Sequence, residues 1–113
     1  MEIDVKAIKA LKFSHGELSP IDLPNPVKLG WDRFWDAIQR NLGEISMVEF
    51  GSFLVAFHQR NADDNLFLLG KTLHGNVIFI GRVWNDRGEA EPTLYLTSQQ
   101  IELLKTIELE RKE

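Results

Sequence analysis

Between Trp31 and Leu42, large apolar side chains recur at spacings of three and four: Trp31, Phe34, Trp35, Ile38 and Leu42. Asp32, Arg33, Asp36 and Arg40 fill positions between them. This is the pattern of an amphipathic helix with a heavy aromatic face. Each such ring can bury about 150–250 Å², so the face needs a broad apolar surface opposite it, and a β-sheet supplies one. Asp32 and Asp36 lie toward the helix N-terminus, where the dipole favours negative charge. Asp36 and Arg40 form an i,i+4 pair, and Gly43 is placed to end the helix.

The segments that follow read as strands. Residues 46–59 fit two patterns: Met47, Phe50, Leu54 and Phe57 match a helical stripe, whereas Val48, Phe50, Phe53, Val55 and Phe57 are strand-favouring types. The strand reading is preferred, with a break near Gly51. Residues 61–65 form a turn that contains Asp63 and Asp64. Two apolar runs, 66–73 and 77–84, flank His74-Gly75-Asn76, a hairpin signal. Val77-Ile78-Phe79-Ile80 is the clearest strand. Residues 85–92 read as a polar loop and 93–97 as a short strand. Thr97 and Gln100 form a capping-box pattern that opens a C-terminal helix carrying Ile101, Leu103, Leu104 and Ile107.

The N-terminal third is less regular. Residues 3–13 fit both a period of two and a period of 3.6, and the strand reading is again preferred. Pro20, Pro24 and Pro26 mark residues 16–30 as an extended connector lying against the body. The expected fold is therefore α+β. An antiparallel meander sheet of three to five strands packs against the aromatic N-terminal helix and the C-terminal helix, with both helices on one sheet face. Residues 1–113 make a single globular domain.

Composition narrows the function. The chain has no cysteine, which removes disulfides, thiol nucleophiles and cysteine-ligated zinc and fits a cytoplasmic setting. The first residues have no continuous apolar run, so no secretory signal is expected. No apolar stretch approaches the roughly 20 residues of a membrane span. The net charge is −4 and no long segment is net basic, which disfavours nucleic acid and suits a basic protein partner. Phosphate-cradling glycine loops, the nucleophile elbow and paired metal-binding histidines are absent, so no catalytic residue, metal or cofactor is assigned.

Two sets of residues remain as candidates. By alternation, His58 and Arg60 share one strand face, and Arg82 shares a face with Ile78, Ile80 and Trp84. If the strands lie close, His58, Arg60, Arg82 and Tyr95 would line a ligand pocket on the sheet. The aromatic residues Trp31, Phe34, Trp35 and Trp84 form the second set. They serve either as core or as an interface to a protein partner or a second subunit, since two helices on one face leave the other face of the sheet bare. The preferred function is a non-enzymatic protein-interaction module of the inhibitor, immunity or adaptor kind. The alternative is a small-molecule binding domain or small enzyme with a pocket on the sheet.

Overall fold

A computed structural model of the chain describes residues 6–51, 53–60, 65–106 and 108–109. Among the described residues, nine strands and three helices follow one another: β1 (Ala7–Ser14), β2 (Glu17–Pro24), α1 (Pro26–Leu29), α2 (Trp31–Leu42), β3 (Ile45–Phe50), β4 (Leu54–Gln59), β5 (Asn65–Leu68), β6 (Lys71–His74), β7 (Val77–Trp84), β8 (Ala90–Pro92), α3 (Ser98–Leu104) and β9 (Glu108–Leu109). The main sheet has the order β2-β1-β7-β4-β3, and β8 adds to the far end of β7. Every pairing is antiparallel. A small second sheet has the order β6-β5-β9. The architecture is α+β, and α2 spans the residues its aromatic stripe predicts.

Both faces of the main sheet are buried. On one face Val55, Phe57, Ile78 and Ile80 pack with Ile8, Ala10 and Leu23 beneath Phe34, Ile38 and Leu42 of α2. On the other, Leu54, Ala56, Val77 and Phe79 pack with Phe13 and Phe50 beneath Leu66, Leu68 and Leu73 of the β5–β6 hairpin and Leu104 of α3. The two helices thus lie on opposite faces, not on one. The second face is covered by the chain's own hairpin together with α3.

That hairpin also corrects the expected turn. Residues 66–73 do not pair with β7 across Gly75-Asn76. They fold on themselves, with Leu66 opposite Leu73 and Leu68 opposite Lys71. The turn is Leu69-Gly70, with φ of 50° and 77°. Two positive φ values in a two-residue loop match the twist of antiparallel strands, and glycine meets that demand without strain. His74, Gly75 and Asn76 then carry the chain back to the main sheet. The expected turn around Asp63 and Asp64 lies outside the described residues.

The proline-rich segment holds a strand where an extended connector was expected. The backbone N–H of Asn25 donates to the carbonyl of Lys6 at 2.8 Å. In the observed register, Ile8–Leu23, Ala10–Ile21 and Lys12–Ser19 are then also hydrogen-bonded pairs, and Leu11–Pro20 and Ala7–Pro24 are not. Pro20 and Pro24 therefore occupy positions whose N–H would point away from the sheet, so neither removes a ladder bond. Pro26 takes the first turn of α1, capped by Asn25, whose side chain accepts from the Val27 N–H at 3.0 Å. At the other end of the chain, the expected strand at 93–97 is displaced to β8, and 93–97 runs irregularly into α3.

The capping box of α3 is present: the Thr97 N–H donates to Gln100 Oε1 at 2.8 Å, and the Gln100 N–H donates to Thr97 Oγ1 at 3.1 Å. Gln100 is 7% exposed, and its Nε2 also donates to the Phe53 carbonyl at 2.8 Å, tying α3 to the β3–β4 turn. It sits with Thr93 over Gly81, where a Cβ would fall against Thr93 Oγ1 and force that side chain to shift. Replacing Gln100 with alanine removes one of two donors to the Phe53 carbonyl, which keeps the Arg82 N–H at 2.9 Å, and leaves the Thr97 N–H without its partner. We expect Gln100→Ala to lower the unfolding free energy by about 1–3 kcal/mol with an unchanged denaturant slope, measured by urea titration.

A candidate binding groove beside the aromatic helix

Trp31, Phe34 and Trp35 fall on consecutive turns of α2 and pack on one another, and Phe34 and Trp35 also pack on Phe57 of β4. Phe34 and Phe57 meet edge to face at 5.8 Å, as do Trp35 and Phe57 at 5.5 Å. Trp31 and Trp35 stack at 6.1 Å with their planes 28° apart. Phe34 is fully buried, whereas Trp31 and Trp35 remain 45% and 37% exposed. The aromatic stripe therefore divides: Phe34 is core, and the two tryptophans form a wall.

The wall faces a groove of about 300 Å³. Its floor is the helix-side face of the sheet, with Val55 and Phe57 from β4 and Ile80, Arg82 and Trp84 from β7. Met47 and Glu49 of β3 border it, as do residues 90–92 of β8. Met47 and Trp84 are 52% and 55% exposed. The lining is mostly apolar and half exposed, with Glu49, Arg82 and Glu91 as its charged members.

Arg82 is the charged member of the floor. Its side chain is only 11% exposed. The guanidinium meets both carboxylate oxygens of Glu49, with Nη1–Oε1 at 3.1 Å and Nη2–Oε2 at 3.4 Å. It also donates to the Gly51 carbonyl at 3.2 Å and lies 5.3 Å from the Trp84 ring centre. This is the fork geometry in which arginine binds a carboxylate and stacks on an aromatic face. Its hydrogen bonds, and then its charge, hold the Glu49 carboxyl below the ordinary value.

The structure brings together Trp31, Phe34, Trp35, Trp84 and Arg82 from the residues singled out in the sequence. It separates the others. His58 succeeds Phe57 on β4 and faces the opposite side of the sheet, where its Nδ1 accepts the His74 N–H at 3.1 Å. Arg60 lies past the end of β4 and donates to the Ile45 carbonyl at 3.0 Å. Tyr95 is half exposed in the 93–97 segment, away from the groove. A pocket shared by His58, Arg60, Arg82 and Tyr95 does not form. Sequence reasoning missed Met47, Glu49 and Glu91, whose only signal is that β3 and β8 flank the sheet beside α2.

The groove lining holds two carboxylates, Glu49, which Arg82 engages, and Glu91, which accepts from Asn85 Nδ2 at 2.8 Å, and it holds no histidine, serine or threonine. Among the described residues, no group of three or more His, Cys, Asp or Glu lies close enough to hold a metal ion. A second hollow of about 450 Å³, lined by Phe53, Thr97, Gln99, Gln100 and Leu103, has no titratable side chain. No described helix is long and apolar enough to cross a membrane. No protein-family model, curated protein or solved structure matches the chain.

His58 is 5% exposed, and its ring centre lies 5.6 Å from that of His74. Burial pushes its pKa below the ordinary 6.5, a backbone hydrogen bond at Gln59 raises it, and the neighbouring His74 lowers it further. The unfolded chain therefore takes up a proton near pH 6.5 while the folded chain stays neutral at this site. Stability contributed by neutral His58 is fully present above that value and falls as the pH drops toward the folded pKa. We expect acid titration of unfolding free energy to show this loss below pH 6.5, and His58→Gln to remove that part of the slope. An identical slope in the variant assigns the loss to other groups.

Proposed function

We propose that the chain is a non-enzymatic protein-interaction module, of the inhibitor, immunity or adaptor kind, that takes a partner's apolar side chains into the tryptophan groove. One observation carries this reading: Trp31, Trp35, Met47 and Trp84, each between 37% and 55% exposed, converge on one concavity without a catalytic constellation beside them. Tryptophan is enriched among the residues that dominate binding energy, because it buries a large area with few rotatable bonds. Arg82 and Glu49 satisfy each other at the border and give the rim polarity without leaving an unpaired charge on the floor. The net charge of −4 favours a protein partner with a basic surface over nucleic acid, and a cysteine-free chain suits a reducing cytoplasm.

A small-molecule ligand is the second reading. It is favoured by the groove volume of about 300 Å³, which is at the small end of the range for ligand pockets.

The two readings separate in one experiment. The chain is photo-crosslinked through a reactive group placed at Met47 in an extract of its native host, and the adducts are read by mass spectrometry. We expect a discrete protein adduct. Trp31→Ala and Trp84→Ala should each weaken binding of that protein, once purified, by about tenfold or more while the melting temperature stays within a few degrees. Binding that survives both substitutions removes the groove from the interaction. A small molecule retained in native mass spectrometry, with no protein adduct, selects the second reading.

A further inference from the structure

The two edges of the main sheet differ. The outward positions of β2 include Pro20 and Pro24, which present no N–H to an incoming strand. The β3 edge has no such block. Arg60 N–H donates to the Glu44 carbonyl at 3.0 Å, which sets the ladder phase. In the β3–β4 register, Ser46–His58, Val48–Ala56 and Phe50–Leu54 are then the hydrogen-bonded pairs. The N–H and C=O groups of Ile45, Met47 and Glu49 therefore point away from β4. Among the described residues no strand lies on that side. The Ile45 carbonyl is met there by the Arg60 guanidinium, at 3.0 Å.

The edge is also self-complementary. An antiparallel second β3 centred on Met47 opposite Met47 sets Ile45 against Glu49 and Glu49 against Ile45. All three outward residues then form hydrogen-bonded pairs at once, with side chains kept on their proper faces. Arg60 stands at the Ile45 end, so in this pairing its guanidinium would come beside the other copy's Glu49, whose side chain is 51% exposed and stays paired with Arg82. The half-exposed Met47 side chains face each other across the axis.

We propose that a second copy of this chain adds to β3 about a twofold axis at Met47, joining two main sheets into one continuous antiparallel sheet. The interface is backbone pairing with a charge at each end, and it uses the main chain of Met47 and Glu49, whose side chains border the tryptophan groove. Light scattering and amide exchange on the purified chain, from micromolar to millimolar concentration, test it. The expected result is a dimer fraction that rises with concentration, with exchange at Met47 and Glu49 slowing in step. Val48, whose N–H faces β4, is protected throughout.

Met47→Pro removes an outward N–H and no bond to β4, so it should give a monomer with unchanged circular dichroism. Arg60→Glu, which keeps the backbone intact, should raise the dimer dissociation constant about tenfold by setting like charges together twice. A chain that is monomeric at every concentration overturns the proposal. So does a dimer that survives both substitutions with Met47 and Glu49 still exchanging freely.

Discussion

From Leu54 to Phe57 and from Val77 to Ile80, every side chain of β4 and β7 is buried, on whichever face it falls. Apolar strands at the centre of a sheet force the chain to supply two covers, because either face left wet would forfeit about 1.5–3 kcal/mol for each Val, Leu, Ile or Phe exposed. Helix α2 is one cover. The other is built from the β5–β6 hairpin and α3, which come from different parts of the sequence and meet over Phe79 and Leu54. The hairpin's excursion out of the sheet between β4 and β7 follows from this need. The strand order places β7 between β1 and β4, and the intervening residues are free to fold back over the far face.

The groove arises where the first cover stops. Helix α2 has twelve residues and so spans about 18 Å. Its later turns bury Ile38 and Leu42, and its first turns bring Trp31 and Trp35 to the margin. Along β7 the helix-side series runs Ile78, Ile80, Arg82, Trp84, and the apolar pattern breaks at Arg82. A guanidinium sealed under a helix would need full compensation in low dielectric. At the open margin it is paired by Glu49, by the Gly51 carbonyl and by the Trp84 face while Glu49 keeps contact with water. The charge and the opening belong together.

Legibility followed burial. Helix α2 was readable because one side is wet and one is dry, so its period of 3.6 survives in the sequence. The α3 cap was readable because Thr97 and Gln100 act on each other locally. The break near Gly51 appears as the turn between β3 and β4, where Gly51 has φ of 62°. By contrast, β4 is buried on both faces, so alternation carried no information there and only residue type favoured a strand. The β2 strand was hidden by its prolines, because whether Pro20 costs a ladder bond depends on register and edge position, neither of which is local. The placement of His58 opposite Arg82 turned on strand pairing in the same way. Each lies on the face its own strand alternation gives. The groove's tryptophans were visible as types, but the division between buried Phe34 and half-exposed Trp31 and Trp35 depends on where the sheet ends beneath them.

Polar contacts tie the covering layers to the sheet at several points. On the hairpin side His58 accepts from the His74 backbone and Gln100 reaches Phe53, while from the helix-side positions of β4 and β1 Gln59 Oε1 accepts the Asn76 N–H at 2.9 Å and Ser14 donates to Asn76 at 3.0 Å. Apolar burial has little directional preference, whereas a buried hydrogen bond is costly to leave unmade. These contacts therefore fix how the hairpin and α3 sit, and displacing either layer would strand several partners together. Gln59 extends the tie through the sheet edge by donating from Nε2 to the Leu42 carbonyl at the end of α2, at 3.2 Å. On the helix side near the groove, the corresponding contacts are aromatic packing and the Arg82–Glu49 pair, which leave Trp31, Trp35 and Trp84 accessible. In the proposed reading, a hydrogen-bonded layer behind the open apolar groove gives it a fixed backing, which lowers the ordering cost of contact.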